Sequence, residues 1–88
     1  MMDKKDANYC RLVGMRLRAA RMEHNWSREE LEYRSGVSYN HIGKIERGEA
    51  HPKLKTFHLL LKALGINSNQ FLQSVEKELN EQFPIKEK

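Results

Sequence analysis

The 88-residue sequence contains one cysteine, two prolines and no long apolar run, and each scarcity closes off a class of protein. Cys10 has no second thiol with which to form an internal disulfide. It reads as a small hydrophobe on the first helix, with redox sensing as the sharper alternative. No segment approaches the roughly 18 consecutive apolar residues that a membrane-spanning helix needs. Residues 1–6, with two lysines and two aspartates, also lack the apolar stretch that a signal peptide places behind its charges. One small cytoplasmic domain is therefore expected. His24, His41, His51 and His58 fall at no metal-ligand spacing such as H-x-x-x-H, and one cysteine does not complete a zinc site, so no metal is expected. A glycine-rich phosphate loop, a nucleophile elbow and paired carboxylates in a plausible cleft are missing too. The sequence thus predicts neither an enzyme nor a cofactor. It has no internal repeat and no low-complexity tract.

Charge is unevenly spread. Residues 1–65 hold thirteen Lys and Arg against eight Asp and Glu, and residues 66–88 hold three against four. The first part is therefore net +5 and the last part net −1, so a polyanion suits the former and the latter should not lie along it.

The informative stretch is residues 26–48, WSREELEYRSGVSYNHIGKIERG. Ser27 followed three residues later by Glu30 has the form of a capping box, with Trp26 and Leu31 placed to close as a hydrophobic staple around it. Gly36 arrives where a helix wants a left-handed residue, so that helix should end near Ser35. Ser38 then caps a second helix, with Val37 placed to staple onto Ile42. Two short helices separated by so tight a turn make a helix-turn-helix over about residues 27–46. In the second of them Ile42 and Ile45 form one narrow inward stripe, while Tyr39, Asn40, Gly43, Lys44 and Arg47 lie on the other side. That face is either idle solvated surface or, on a helix held by a fixed turn and rich in donors, a reader of a DNA major groove.

Arg21, Ser27, Leu31, Gly36-Val37-Ser38, Ile42, Ile45-Glu46-Arg47-Gly48, Pro52 and Leu64-Gly65 occur in the order and at the spacing of the Xre family of phage repressor and Cro-like regulators. Over about residues 13–67 the sequence resembles that family. The resemblance implies an all-α, lambda-repressor-like bundle of four to five helices. It also implies a homodimeric regulator, acting as a repressor, that binds double-stranded DNA at an inverted-repeat operator. Base contacts are then expected from Tyr39, Asn40 and Lys44, and phosphate contacts from Arg28, Ser38, Arg47, Lys53 and Lys55. Arg21 lies one turn beyond Leu17 on the inward side of the first helix, and the family pairs it with the residue that is Glu46 here. An ion pair is expected, the alternative being a solvated Arg21 with only its stem packed.

Three positions depart from the family pattern. Arg28 replaces a usual Gln and should keep a phosphate-directed role with more salt sensitivity. Glu32 replaces a small Ala, so either its stem lies along the interface between the two helices or they pack differently. Gly43 replaces a usual Ser at a propensity cost of roughly 1 kcal/mol. It is either a means for DNA to approach closely or a tolerated defect.

Around this centre the first helix is expected over about residues 7–24, with Leu12, Val13, Leu17 and Ala20 inward and residues 1–6 flexible. Pro52 makes residues 49–53 a loop. A fourth helix carries Leu54, Phe57, Leu60, Leu61 and Leu64 and stops at Gly65. Lys53 and Lys55 stand at its start, where free N–H groups favour an anion. Asn67 or Ser68 caps a fifth helix, on which Phe71, Leu72, Val75, Leu79 and Phe83 recur until Pro84, leaving 84–88 as a frayed tail. The domain proper spans residues 7–67, and residues 68–83 are expected to dimerise through that stripe; the alternative is that it packs back on the first helix. The competing functions are a protein-interaction module, or an antitoxin-like or restriction–modification controller protein whose helix-turn-helix also binds an unidentified protein partner. A pure protein-binding relic should have lost its phosphate-reaching cations, and here all are retained.

Overall fold

Local hydrogen-bonding devices set most of the helix boundaries. The computed structural model describes residues 4–82, which form α1 (Lys4–Glu23), α2 (Arg28–Ser35), α3 (Tyr39–Glu46), α4 (Leu54–Leu64) and α5 (Ser68–Gln82), with no strand among the described residues. The all-α, five-helix architecture agrees with the expectation from sequence. The first helix begins at Lys4 rather than near Ala7 and stops one residue before His24. Asn25, at φ 59°, turns the chain there, and asparagine is among the residues that tolerate this left-handed conformation best. Ser27 Oγ accepts from the Glu30 N–H at 3.0 Å, which is half of the expected capping box. The Glu30 carboxylate turns instead to Arg34 (2.8 Å). Trp26 lies between the His24 ring, stacked at 4.1 Å, and the Arg34 guanidinium at 4.3 Å, and it packs against the core.

The turn of the helix-turn-helix is fixed by three contacts. Gly36, at φ 79°, donates its N–H to the Glu32 carbonyl (2.8 Å) and occupies backbone space where an L side chain is strained. Ser35 Oγ accepts from the Val37 N–H (3.0 Å), and Ser38 Oγ accepts from the His41 N–H (3.2 Å) to start α3. Asn67, rather than Ser68, caps α5, its Oδ1 accepting from the Gln70 N–H at 3.0 Å.

One core joins the helices: Leu12, Val13 and Leu17 of α1, Leu31 of α2, Ile42 and Ile45 of α3, Leu60, Leu61 and Leu64 of α4, and Phe71 and Val75 of α5. Helix α1 packs on α3 and α5, and α2 packs on α3 and α4. Gly14 permits the α1–α3 approach, since a Cβ there would run into the Ile45 carbonyl oxygen and come within 2.8 Å of the Glu46 carbonyl oxygen. Cys10 is buried, and burial pushes its thiol pKa up, away from the reactive thiolate.

The apolar stripe of α5 differs from its expected use. Val75 is fully buried and Phe71 nearly so, both in the chain's own core, and Leu79 is half-buried against it. Arg16 of α1 ties down the outer part of the helix by pairing with Glu78 at 2.6 Å. The alternative of packing back on the first helix accounts for these residues, because α1 is long enough to cover them. Leu72 remains exposed, and Phe83 lies outside the described residues, as does Pro84. Among the described residues no helix is long and apolar enough to cross a membrane.

Candidate nucleic-acid interface

Helix α3 is divided lengthwise by burial. Ile42, Gly43, Ile45 and Glu46 are buried, whereas Tyr39, Asn40, Lys44 and Arg47 are exposed. The expected base-reading residues Tyr39, Asn40 and Lys44 therefore share one open face, whose opposite side is anchored in the core. Asparagine can pair bidentately with an adenine edge and lysine can donate to guanine O6 or N7. Ser38 holds its backbone-capping contact while its hydroxyl hydrogen stays free to donate. Lys53 and Lys55 are exposed at the start of α4, where Lys53 occupies the cap position and makes no side-chain cap bond.

The buried end of α3 is a three-residue charge network. Arg21 Nε donates to Glu46 Oε2 at 2.7 Å and Nη2 donates to Oε1 at 2.9 Å, while Nη1 donates to the Trp26 carbonyl at 2.8 Å. Arg28 Nε reaches the same Oε1 at 3.1 Å. The side chains of Arg21 and Glu46 are only 11% and 2% exposed, so the expected pair is internal. Burial pushes the Glu46 carboxyl pKa up, but hydrogen bonds from Arg21 and then Arg28, helped by their charges, outweigh it and hold the group below the usual carboxylate range. The hydrogen bonds that Arg21 donates to Glu46 raise its own pKa above the ordinary value. Arg28 thus has one nitrogen committed inside the protein, while its side chain as a whole stays 28% exposed.

Three residues acquire roles that sequence reasoning missed. Glu32 is exposed, and its carboxylate reaches across the turn to accept the Tyr39 N–H at 3.0 Å, so it helps to cap α3 rather than crowding the α2–α3 interface. Acidic residues near a helix start were a visible signal, but only the folded turn brings residue 32 to residue 39. Glu49 clamps Arg47, with Arg47 Nε donating to Oε2 at 2.8 Å and Nη2 to Oε1 at 3.3 Å. Gly43 lies beneath two guanidinium groups: a Cβ there would be 2.9 Å from Arg47 Nη1 and 3.7 Å from Arg28 Nη1. The missing side chain therefore makes room for the protein's own arginines.

Comparison with known proteins agrees with this geometry. Residues 17–71 match the family model described as Helix-turn-helix (HTH_3). The chain is 37% identical over 57 residues to the uncharacterized HTH-type transcriptional regulator y4dJ of Sinorhizobium fredii (strain NBRC 101917 / NGR234), a match that covers 65% of this chain and 74% of that protein. It is 39% identical over 54 residues to the regulator y4dL of the same strain, covering 61% of this chain but only 28% of that longer protein. Among solved structures, the wild-type restriction–modification controller protein C.Esp1396I superposes with a TM-score of 0.73 at 25% identity, over 83% of this chain and 95% of that one. A chain of that controller's tetramer, in complex with its natural 35-base-pair operator, superposes with a TM-score of 0.72 at 25% identity, over 81% of this chain and 93% of that one.

Proposed function

The chain belongs to the Xre-like helix-turn-helix family of DNA-binding transcriptional regulators, and we propose that it acts as a homodimeric, cytoplasmic repressor that reads an inverted-repeat operator through α3. The observation that carries this reading is the division of α3, with Tyr39, Asn40 and Lys44 open on one side and Ile42, Ile45 and Glu46 buried on the other. Such a helix presents a fixed set of donors to a groove, and Arg28, Ser38, Arg47, Lys53 and Lys55 surround it as the phosphate-directed groups. The likeness to an operator-bound controller favours the controller-type context over an antitoxin-like one.

One recognition helix reads only a few base pairs, so useful selectivity requires two helices related by a two-fold axis, about 34 Å apart on one face of the DNA. With Phe71 and Val75 committed to the core, the dimer contact moves to a shallow groove lined by Tyr9, Pro52, Leu54, Phe57 and Leu72. Leu54 is 85% exposed at the start of α4, between Lys53 and Lys55, and leaving a leucine in water forgoes roughly 1.5–3 kcal/mol. A contact there would include Leu54, which lies between the phosphate-directed Lys53 and Lys55.

Selection of bound sequences from a random duplex pool, with sedimentation of the complexes, tests the proposal. The expected product is an inverted repeat with half-site centres about ten base pairs apart, bound by two chains, and Leu54→Glu with Leu72→Glu should leave a folded monomer. Enrichment of a single half-site bound by one chain would overturn the dimeric reading, and no enrichment would overturn sequence-specific binding.

A further inference from the structure

The Arg47–Glu49 clamp stands where the proposed DNA contact would be made. Arg47 is exposed, follows directly on α3, and has two of its three guanidinium nitrogens on a carboxylate of its own chain. That carboxylate is placed by the backbone: Gly48, at φ 74°, reverses the chain, its N–H donates to the Ile45 carbonyl (3.0 Å) and the Glu49 N–H donates to the Lys44 carbonyl (2.9 Å). The double closure turns residue 49 back alongside α3. The hydrogen bonds act on both partners, raising the Arg47 pKa and lowering that of Glu49. A two-oxygen anion fitted to a guanidinium fork is the geometry a DNA phosphate would also offer.

We propose that Glu49 is a specificity-determining residue of the interface, acting as an internal stand-in for phosphate that a duplex must displace before it can use Arg47. On random DNA the exchange of one anion for another gains little, so Arg47 adds little to sequence-independent affinity. On the operator, contacts from Tyr39, Asn40 and Lys44 hold the backbone against the protein and make the exchange complete. Gly43 lets Arg47 lie back over α3, because a Cβ at that position would be 2.9 Å from its Nη1. The inference rests on the DNA-binding reading above and adds to it a reason for low affinity at the wrong sites.

The test uses the full chain and a mixed-sequence duplex of about 20 base pairs, so it needs no knowledge of the operator. Affinity is measured across a salt series for wild type, Glu49→Gln, Arg47→Ala and the double variant. Glu49→Gln should bind this duplex roughly threefold or more tightly at low salt, with log K against log salt steeper by about one, the scale of one added phosphate contact. In the Arg47→Ala background the same change should have little effect. Unchanged affinity and slope for Glu49→Gln would overturn the proposal. An equal gain with Arg47 already removed would do so too, because Glu49 would then act only as bulk negative charge. If wild type fails to bind the duplex even at low salt, the DNA-binding reading itself falls, an outcome distinct from equal binding by all four proteins.

Discussion

Two arginine–glutamate pairs lie near the C-terminal end of α3, and they differ chiefly in burial. Arg21–Glu46 has side chains 11% and 2% exposed, and Arg47–Glu49 has side chains 50% and 54% exposed. Both are bidentate, with first contacts of 2.7 and 2.8 Å. In the first pair both groups are largely withdrawn from water, so the contact is part of the fold and fixes α1 against α3, while Arg28 ties α2 to the same carboxylate. In the second, each partner can trade the other for solvent or for another ion at small cost. The same chemistry occurs once as a buried joint and once on open surface, and the proposed reading of DNA uses both: a helix that does not move, and a cation that can.

The largest expected effect comes from breaking the buried member. Glu46→Ala leaves Arg21 inside with no carboxylate and should cost about 3–5 kcal/mol in denaturant unfolding, whereas Glu49→Ala should leave the midpoint where it is. The same contrast has a pH signature. Because the folded Glu46 pKa lies below its unfolded value, its stabilisation is fully present above the ordinary carboxylate range and is lost as pH falls through the lower folded value. Thermal melts on acidification should therefore show a drop that is smaller in a Glu46→Gln background.

Next in size is Gly14→Ala, which tests whether the buried pair depends on the close approach of α1 to α3. A methyl group meeting the Ile45 and Glu46 carbonyls must push backbone aside, at a cost of about 1–3 kcal/mol or more, again read from unfolding midpoints. A variant as stable as wild type would mean that the two helices have room to spare.

Smaller still in stability terms, and more informative about function, is Arg28→Ala. Arg28 belongs to both classes, with Nε on buried Glu46 and a side chain that is still partly exposed. All duplexes should be weakened alike, with the slope of log K against log salt reduced by about one. An unchanged slope in a salt titration would assign Arg28 to the fold alone.

What the sequence made legible follows from the range of the interactions involved. Ser27, Gly36, Ser38 and Gly65 act within four or five residues of themselves, so the boundaries of α2 and the start of α3 could be read directly. The open face of α3 was legible for the same reason, because a helical period assigns sides. Arg21–Glu46 spans 25 residues and was reached only through resemblance to a family. The α5 stripe shows the limit of periodicity: of the five residues expected on it Phe71, Val75 and Leu79 turn inward while Leu72 is exposed, and a period says nothing about which surface covers the face, here α1 together with Phe57 of α4. Gly14 and Glu49 escape a sequence reading because nothing local distinguishes a glycine inside a helix or one exposed acid among several, and Glu32 stands out in the sequence for its size but not for the Tyr39 N–H it caps. Their roles exist only once α1 meets α3, α2 meets α3, and the turn at Gly48 closes.

If the exposed side of α3 reads bases, as proposed, Asn40 is the residue whose loss should show it. Asn40 is exposed on that face, so its removal should leave folding untouched. Affinities of wild type and Asn40→Ala for the selected operator and for a random duplex of equal length should be measured at one salt concentration. A loss of about 1–3 kcal/mol, roughly 5- to 150-fold, is expected on the operator and little change on random DNA. Equal weakening of both duplexes would contradict it and reduce α3 to one more phosphate-binding surface.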